Sequence, residues 1–316
     1  ARTAKTSPRH IAQTVAGHVA PDLAVADVSV AGPGFINIRL DDNWVLEQIE
    51  TILSSGTNFG APRVENPQRI QVEYLSANPT GPLTVGSGRV GVVGDAVARM
   101  LEARGHAVTR EYYVNDAGTQ MDNFYSSLKT RYLQEIGIEA SMPPEGYVGD
   151  YLKDLAKMIL REEGVKLGSL DTREAILRLN AVGLRKMTES IMADLKDIKV
   201  IHDVWFSEQS LFDTNQYQHV LDSLGSKGYL QQKEGATWFV STALGDDKDN
   251  VLIRSSGRPT YFATDIAYHY NKFSERRFDR AINIWGADHQ GHVPRMKAAV
   301  RALGIEPDRL EIIISQ

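Results

Sequence analysis

Residues 69 to 114 restrict the fold of this chain more than any other stretch. RIQVEYL alternates Ile70, Val72 and Tyr74 with Gln71 and Glu73, the two-residue period of a β-strand. GVVGDAVARMLEARG then puts Val92, Val93, Ala96, Val97, Met100 and Leu101 on one helical face, with Gly105 as its C-terminal stop, and AVTREYYV supplies a second strand. Strand, helix and strand in this order close into a right-handed parallel unit. The expected fold class is therefore α/β, with a Rossmann-type parallel sheet.

The loop inside that unit, ANPTGPLTVGSGRVG, admits two readings. Gly86, Gly88 and Gly91 spell G-x-G-x-x-G, and Glu111 stands where a ribose-binding acid would be expected in a dinucleotide site. Pro79 and Pro82, however, cannot lie in a central parallel strand running into the first glycine, so the strand ends near Leu75. The better reading is a proline-bearing turn that feeds a helix. Its free N–H groups and positive helix end would face a nucleotide phosphate, and Gly86 and Gly88 would let a purine lie against the backbone. A dinucleotide-dependent oxidoreductase is the rival and predicts binding of NAD.

Residues 1–65 read as a separate small α+β module. Ser7-Pro8 offers an N-cap and an N1 proline for a helix carrying Ile11, Val15 and Val19. Val28 and Val30, the turn Gly32-Pro33-Gly34, and Phe35, Ile36 and Ile38 suggest a hairpin. A second helix, capped near Asp42, carries Trp44, Leu46, Ile49 and Leu53. Residues 66–316 form the expected larger domain, interrupted at about 121–250 by a mostly helical insertion. Strand-like runs return at NVLIR and AINIWG, each with a helix after it.

At 316 residues, with 42% apolar and 24% charged residues, the chain can bury a sizeable core. It has no cysteine, which excludes disulfides, thiolate metal sites and cysteine nucleophiles. No segment is apolar enough to span a membrane and no signal-peptide pattern opens it, so no membrane partner and a cytoplasmic location are expected. The net charge of −5 argues against wholesale coating of nucleic acid, although clusters such as Arg295, Lys297 and Arg301 could meet phosphates locally. The first residue is not Met and LEIIISQ stops on a strand, so a piece of a longer protein is expected.

VEYLSANPTGPLTVGSGR, REYYVNDAGTQ, DVWFSEQS, GDDKDNVLIRSSGRPTYFATDIAYHY and INIWGADHQGHVPRMKAA resemble, in order, the blocks of arginyl-tRNA synthetase, a class I aminoacyl-tRNA synthetase; AGPGFINIRL resembles the end of that family's tRNA-contacting N-terminal domain. The resemblance implies an arginine–tRNA ligase of protein biosynthesis. Arginine would be activated with ATP, accompanied by Mg2+ as co-substrate, and passed to tRNA(Arg), with no tightly bound cofactor and a monomeric state. It implies that Glu73 and Asn78 hold the amino end of arginine, and that Tyr261 and Asp265 meet the guanidinium. Asp288 and His289 would touch arginine, while Ala77, Pro79, Thr80, Gly81, Pro82, Leu83, Val85, Gly88, Gly286 and His292 would border ATP. Read without the resemblance, Asp265 is a charge near a helix N-terminus, Tyr261 a core phenol, and His289-x-x-His292 an incomplete metal pair.

The sequence departs from the family at its His-x-Gly-His signature, where it reads Thr84-Val85-Gly86-Ser87. Catalytic donors are expected there from Thr84, Gly86 and Ser87, although a hydroxyl cannot become cationic as an imidazole can. The mobile lysine-bearing loop and the anticodon-binding domain of the family are not in this chain, so it is expected to be impaired in aminoacylation. The altered signature motivates an alternative: a non-catalytic, synthetase-like protein that binds arginine or tRNA.

Overall fold

The computed structural model describes residues 5–60, 64–168, 170 and 172–315. The chain divides into two compact units, Ala1–Arg63 and Val64–Gln316. In the first, α1 (Pro8–Ala16) starts at Ser7, whose hydroxyl accepts from the His10 amide, with Pro8 in the first turn. Strands β1 (Val25–Ala31) and β2 (Phe35–Leu40) pair antiparallel as a hairpin. Helix α2 (Asp42–Ser55) is capped by Asp41, one residue before the expected cap, through bonds from the Asn43 and Trp44 amides.

The second unit begins with β3 (Arg69–Tyr74), α3 (Val85–Ala103) and β4 (Ala107–Val114). Helices α4 (Thr119–Glu135), α5 (Asp150–Glu163) and α6 (Arg173–Asp197) follow, then β5 (Val204–Ser207), α7 (Gln209–Asp213) and α8 (Gln216–Ser226). Next come β6 (Leu230–Lys233), β7 (Ala236–Phe239), β8 (Asn250–Ile253) and α9 (Tyr261–Tyr270), which runs into a π-helical turn at Asn271–Glu275. Strand β9 (Arg280–Gly286), a 3-10 segment (Ala287–His292), α10 (Val293–Ala302) and β10 (Leu310–Ser315) complete it. The main sheet is parallel throughout, in the order β10-β9-β3-β4-β5. This is the expected Rossmann-like α/β architecture. Its strand order reverses between β3 and β9, the switch point outside which open α/β sheets bind ligands.

Both faces of the sheet are covered. Ile70, Val72, Tyr74, Tyr112, Ile282 and Ile284 form one buried cluster with Ala98 of α3 and with Ile191 and Leu195 of α6. Tyr113, Ala281 and Leu310 belong to the other cluster, with Val220 and Leu224 of α8, Ile266 of α9 and Met296 of α10. The alternation in β3 is therefore between an apolar buried face and a polar buried face, since Gln71 and Glu73 are buried too. The polar row runs across the sheet: Glu73 is in register with Glu111 on one side and Asn283 on the other.

Three details differ from the expectation. The most deeply buried residues of α3 are Gly91, Gly94, Asp95 and Ala98; of the expected face, Val93, Val97 and Leu101 do pack on the core, while Val92 and Met100 are 55% and 61% exposed. Two glycines let the helix approach where valines could not: a Cβ on Gly94 would lie 2.1 Å from Tyr74 Cγ, and one on Gly91 2.8 Å from Leu75 Cδ1. Second, the segment 121–250 is interrupted by β5, an edge strand of the main sheet beside β4. The helical part proper is α4 to α6, which has its own core of Phe124, Leu128, Tyr132, Leu152, Leu155 and Leu179. Third, NVLIR does not rejoin the main sheet; β8 pairs with β7 in the small antiparallel sheet β6-β7-β8. Among the described residues no helix is long and apolar enough to cross a membrane.

Candidate functional site

A cleft of about 690 Å³ opens beyond the carboxyl ends of β3 and β9, at the switch point. The backbone turns abruptly to make room for it: Leu75 and Ser76 follow β3 with φ of 74° and 36°, two successive non-glycine residues in the left-handed region. Such geometry costs of order 1–3 kcal/mol per residue and persists where surrounding contacts impose it. Here the Ser76 hydroxyl accepts from the Tyr113 amide at 3.0 Å, and the Tyr112 hydroxyl donates to the Ala77 carbonyl at 2.6 Å. The turn thus carries the chain off the sheet and along the cleft wall.

Beyond it, α3 begins with Thr84 as its N-cap. The Thr84 hydroxyl accepts from the Ser87 amide at 3.2 Å and pairs with the Ser87 hydroxyl at 3.0 Å. A cap of this kind stabilises a helix by about 1 kcal/mol, so Thr84 has a structural role whatever else it does. Thr84, Gly86 and Ser87 all line the cleft, and a Cβ on Gly88 would meet nothing within 4 Å. The positive end of a long helix therefore faces open space at one side of the cavity.

The other side is acidic. Glu73, Glu208 and Asp265 all line the cleft. Burial pushes the Asp265 carboxyl up to about 7, helped by the charges of Glu73 and Glu208. Burial also raises Glu208 to about 7, with Asp116 adding to it. Thr264 and Tyr113 act on Glu208 in the opposite direction to burial, but no hydrogen bond of full geometry reaches its Oε2 among the described protein atoms, although Glu208 is only 3% exposed. Tyr113, Thr264 and the half-exposed Tyr261 border the same space. Three sheltered carboxylates with spare acceptor capacity suit a cation that brings several donors, and a planar guanidinium is the side-chain-sized group that brings most.

Of the residues singled out in the sequence, Glu73, Ala77, Asn78, Thr84, Gly86, Ser87, Tyr261, Asp265, Gly286, His289 and His292 line this one cleft. The amide of Asn78 is held from both sides, accepting from Asn115 Nδ2 and donating to Gln120 Oε1 at 2.5 Å each. Pro79, Thr80, Gly81, Pro82, Leu83, Val85 and Gly88 do not line it. Pro79 and Thr80 are buried, and the Thr80 carbonyl accepts from Tyr151 at 2.5 Å, which ties this part of the loop to α5. Leu83 packs on the apolar cluster, whereas Val85 is 88% exposed. The side chain of Asp288 lies outside the described residues. The rings of His289 and His292 are 5.2 Å apart, edge to face. No group of three potential ligands for a metal occurs among the described residues.

Sequence reading missed Glu208, Ser76, Asn115, Gln120 and the buried layer behind the cleft. Glu208 sits inside DVWFSEQS, a quoted block, but nothing in its spacing distinguishes it from a surface acid. Only the pairing of β5 with β4 brings it to Tyr113.

Known proteins match this chain over nearly its whole length. The model of the family "tRNA synthetases class I (R), catalytic domain" matches residues 48–314, and that of the "Arginyl tRNA synthetase N terminal domain" matches residues 1–40. The chain is 47% identical to the arginine–tRNA ligase of Dehalococcoides mccartyi, over 98% of this chain and 56% of that protein. It is also 47% identical to that of Moorella thermoacetica, over 100% of this chain and 56% of the relative. It thus spans little more than half the length of the curated relatives it matches. Among solved structures, one described as an arginyl t-RNA synthetase from Campylobacter jejuni superposes with a TM-score of 0.78 at 36% identity, covering 88% of this chain and 60% of that one. The Thermus thermophilus arginyl-tRNA synthetase shares the fold, with a TM-score of 0.68 at 19% identity over 99% of this chain and 58% of the other.

Proposed function

Because the chain belongs to the class I (R) tRNA synthetase family, we propose that its cleft binds L-arginine and ATP, as the catalytic part of an arginine–tRNA ligase. The observation that carries this reading is the set of three sheltered carboxylates opposite the start of α3: one wall suits a guanidinium and an ammonium, the other a polyphosphate.

In this reading Asp265, Glu208 and the Tyr261 hydroxyl receive the guanidinium. Glu73 and Asn78 take the amino end, and Asp288 and His289 lie beside it. Gly286 and His292 border the adenosine, together with the Ala77-to-Gly88 segment, of which Ala77, Thr84, Gly86 and Ser87 reach the cleft. ATP enters with Mg2+ as its counterion, as substrate. The carboxylate of arginine attacks the α-phosphorus, forming the acyl-adenylate and expelling pyrophosphate. A terminal hydroxyl of tRNA(Arg) then attacks the acyl carbon and releases AMP. The amides at the start of α3 and the hydroxyls of Thr84 and Ser87 donate to the phosphate as charge develops, the task given to histidines in the usual signature. A cytoplasmic location and a monomeric state belong to the same proposal.

A non-hydrolysable arginyl-adenylate mimic, 5′-O-(N-arginylsulfamoyl)adenosine, tests whether the two walls serve one ligand. It is expected to bind about 100-fold or more tighter than L-arginine, because it engages both walls at once. Affinity no better than that of arginine, or equal affinity for the seryl counterpart, would refute the reading.

A further inference from the structure

Behind the cleft lies a layer of buried polar groups that the proposed function does not use. Lys272, in the π-helical turn, is completely buried. Its ammonium donates to Glu73 Oε2 at 2.5 Å and to Asn283 Oδ1 at 2.8 Å, and it sits 4.2 Å from the centre of the Tyr268 ring. The Asn283 amide nitrogen lies 3.0 Å from His269 Nε2, and His269 Nδ1 lies 2.7 Å from the Asp265 carbonyl. The directions are mutually determined. With Oδ1 of Asn283 accepting from Lys272, its Nδ2 must donate to His269 Nε2, which leaves Nδ1–H of a neutral imidazole to donate to the Asp265 carbonyl.

This run of bonds connects the Glu73 carboxylate to the backbone of Asp265, a second residue of the acidic wall. It also neutralises one of the charges on the polar row of the sheet. The neighbour of Glu73 in register, Glu111, is neutralised separately by Arg276, which bonds both carboxylate oxygens, and it also accepts from the Tyr268 hydroxyl at 2.5 Å. The two buried acids therefore have one cation each, both supplied by the turn after α9. Glu111 is shut away at 0% exposure, while Glu73 reaches the cleft. Its Oε2 is taken by Lys272; among the described residues Oε1 has only the Ser76 hydroxyl, at 3.5 Å.

We infer that Lys272 is a positioning residue of the cleft: its buried ammonium holds Glu73 Oε2 and so turns the carboxylate that Oε1 receives the α-ammonium of the amino acid. This deepens the arginine reading and rests on it. Lys272 never touches the ligand. Without it, Glu73 would be a buried carboxylate near Asp265 and Glu208 with no compensating charge, a state that is relieved by rotating away.

The discriminating ligand is 5-guanidinopentanoate, which is arginine without its α-amino group. Calorimetric titrations of the chain, of Lys272→Met and of Lys272→Gln are compared. The glutamine side chain is one atom shorter and uncharged but keeps a polar group at the buried position, so it keeps the test valid should Lys272→Met fail to fold. The unsubstituted chain is expected to prefer arginine to the des-amino analogue by about tenfold or more, the usual range for a hydrogen bond to a charged group. Both variants are expected to lose that preference while binding the analogue within about twofold of the unsubstituted chain. Retention of the preference, or an equal loss for both ligands, would assign Lys272 a purely structural role and overturn the inference. An unsubstituted chain that binds neither ligand would overturn the arginine reading itself, a failure recognisable because it occurs without any substitution.

Discussion

Replacing Asp265 by Asn is expected to weaken binding of L-arginine by about 100-fold or more, since removing one partner of a sheltered, hydrogen-bonded charge pair costs 2–5 kcal/mol. The same substitution should make the empty chain more stable at pH 8. Asp265 lies in a cleft it shares with Glu73 and Glu208, and burial together with those charges raises its carboxyl from 3.8 to about 7. A carboxyl raised on folding binds its proton more tightly in the native state than in the unfolded one. Its contribution to stability is therefore greatest below the unfolded value and is lost as pH rises through about 7. Above that pH the empty cleft holds an ionised group that folding disfavours, and the amide removes it. Because Asp265 is only partly shielded from solvent, the gain is placed at about 1–2 kcal/mol, below what the full shift would give. Glu208, also near 7, should behave alike. In the proposed reading arginine, in contrast, binds the ionised forms, so its affinity should fall as pH drops below 7 and binding there should release protons. Urea titrations at pH 5.5 and pH 8 check the first statement; a variant with unchanged or lower stability at pH 8 would count against the origin assigned to the shift.

Gly94→Ala is expected to destabilise the chain by about 3 kcal/mol, the upper range for overpacking a dense core. In an open helix the same change stabilises by about 1 kcal/mol, so the sign decides. The added methyl would fall 2.1 Å from Tyr74 Cγ and 2.4 Å from its Cβ, part of a ring that is completely buried in the sheet and cannot swing aside. To admit it, α3 must move away from β3, and with α3 goes the wall of the cleft that Thr84, Gly86 and Ser87 form. Gly88→Ala, one and a half turns earlier in the same helix with open space at its Cβ, supplies the contrast. Equal midpoints for Gly94→Ala and the unsubstituted chain would show that helix and sheet are not packed as described.

The α/β class and the crossover at residues 69–114 were legible because strand and helix periods are local properties. The face of α3 was legible in part: Val93, Val97 and Leu101 do pack on the sheet, but the deepest contacts come from glycines, whose value depends on Tyr74 being opposite. Likewise, Gln71 and Glu73 look like the wet side of a strand. They are buried because α8, α9 and α10 cover that face and the turn at Asn271–Glu275 brings Lys272 and Arg276 to meet the acids. A lysine in KFSERR gives no sequence sign of complete burial.

For the cleft, Glu73, Asn78, Tyr261 and Asp265 came from the resemblance of their blocks to a family. Spacing alone would have left Asp265 as a helix-end charge and Tyr261 as a core phenol. Glu208, His269 and Asn283 were not singled out, since they come from β5–α7, α9 and β9 and become neighbours only through the sheet order. The Thr84–Ser87 departure has a partial physical account: the pair caps α3, so two hydroxyls keep the helix start formed where the family signature has two imidazoles.

The most direct test of the central claim is calorimetric titration of the chain with L-arginine, with L-citrulline as the nearly isosteric uncharged control. Citrulline keeps the α-amino acid end and replaces the guanidinium by a urea, so the comparison isolates the wall formed by Asp265, Glu208 and Tyr261. Saturable binding of arginine at pH 8, with citrulline about 100-fold weaker or undetectable, is the predicted result. Equal affinity for the two, or no arginine binding by a chain shown to be folded, would contradict it.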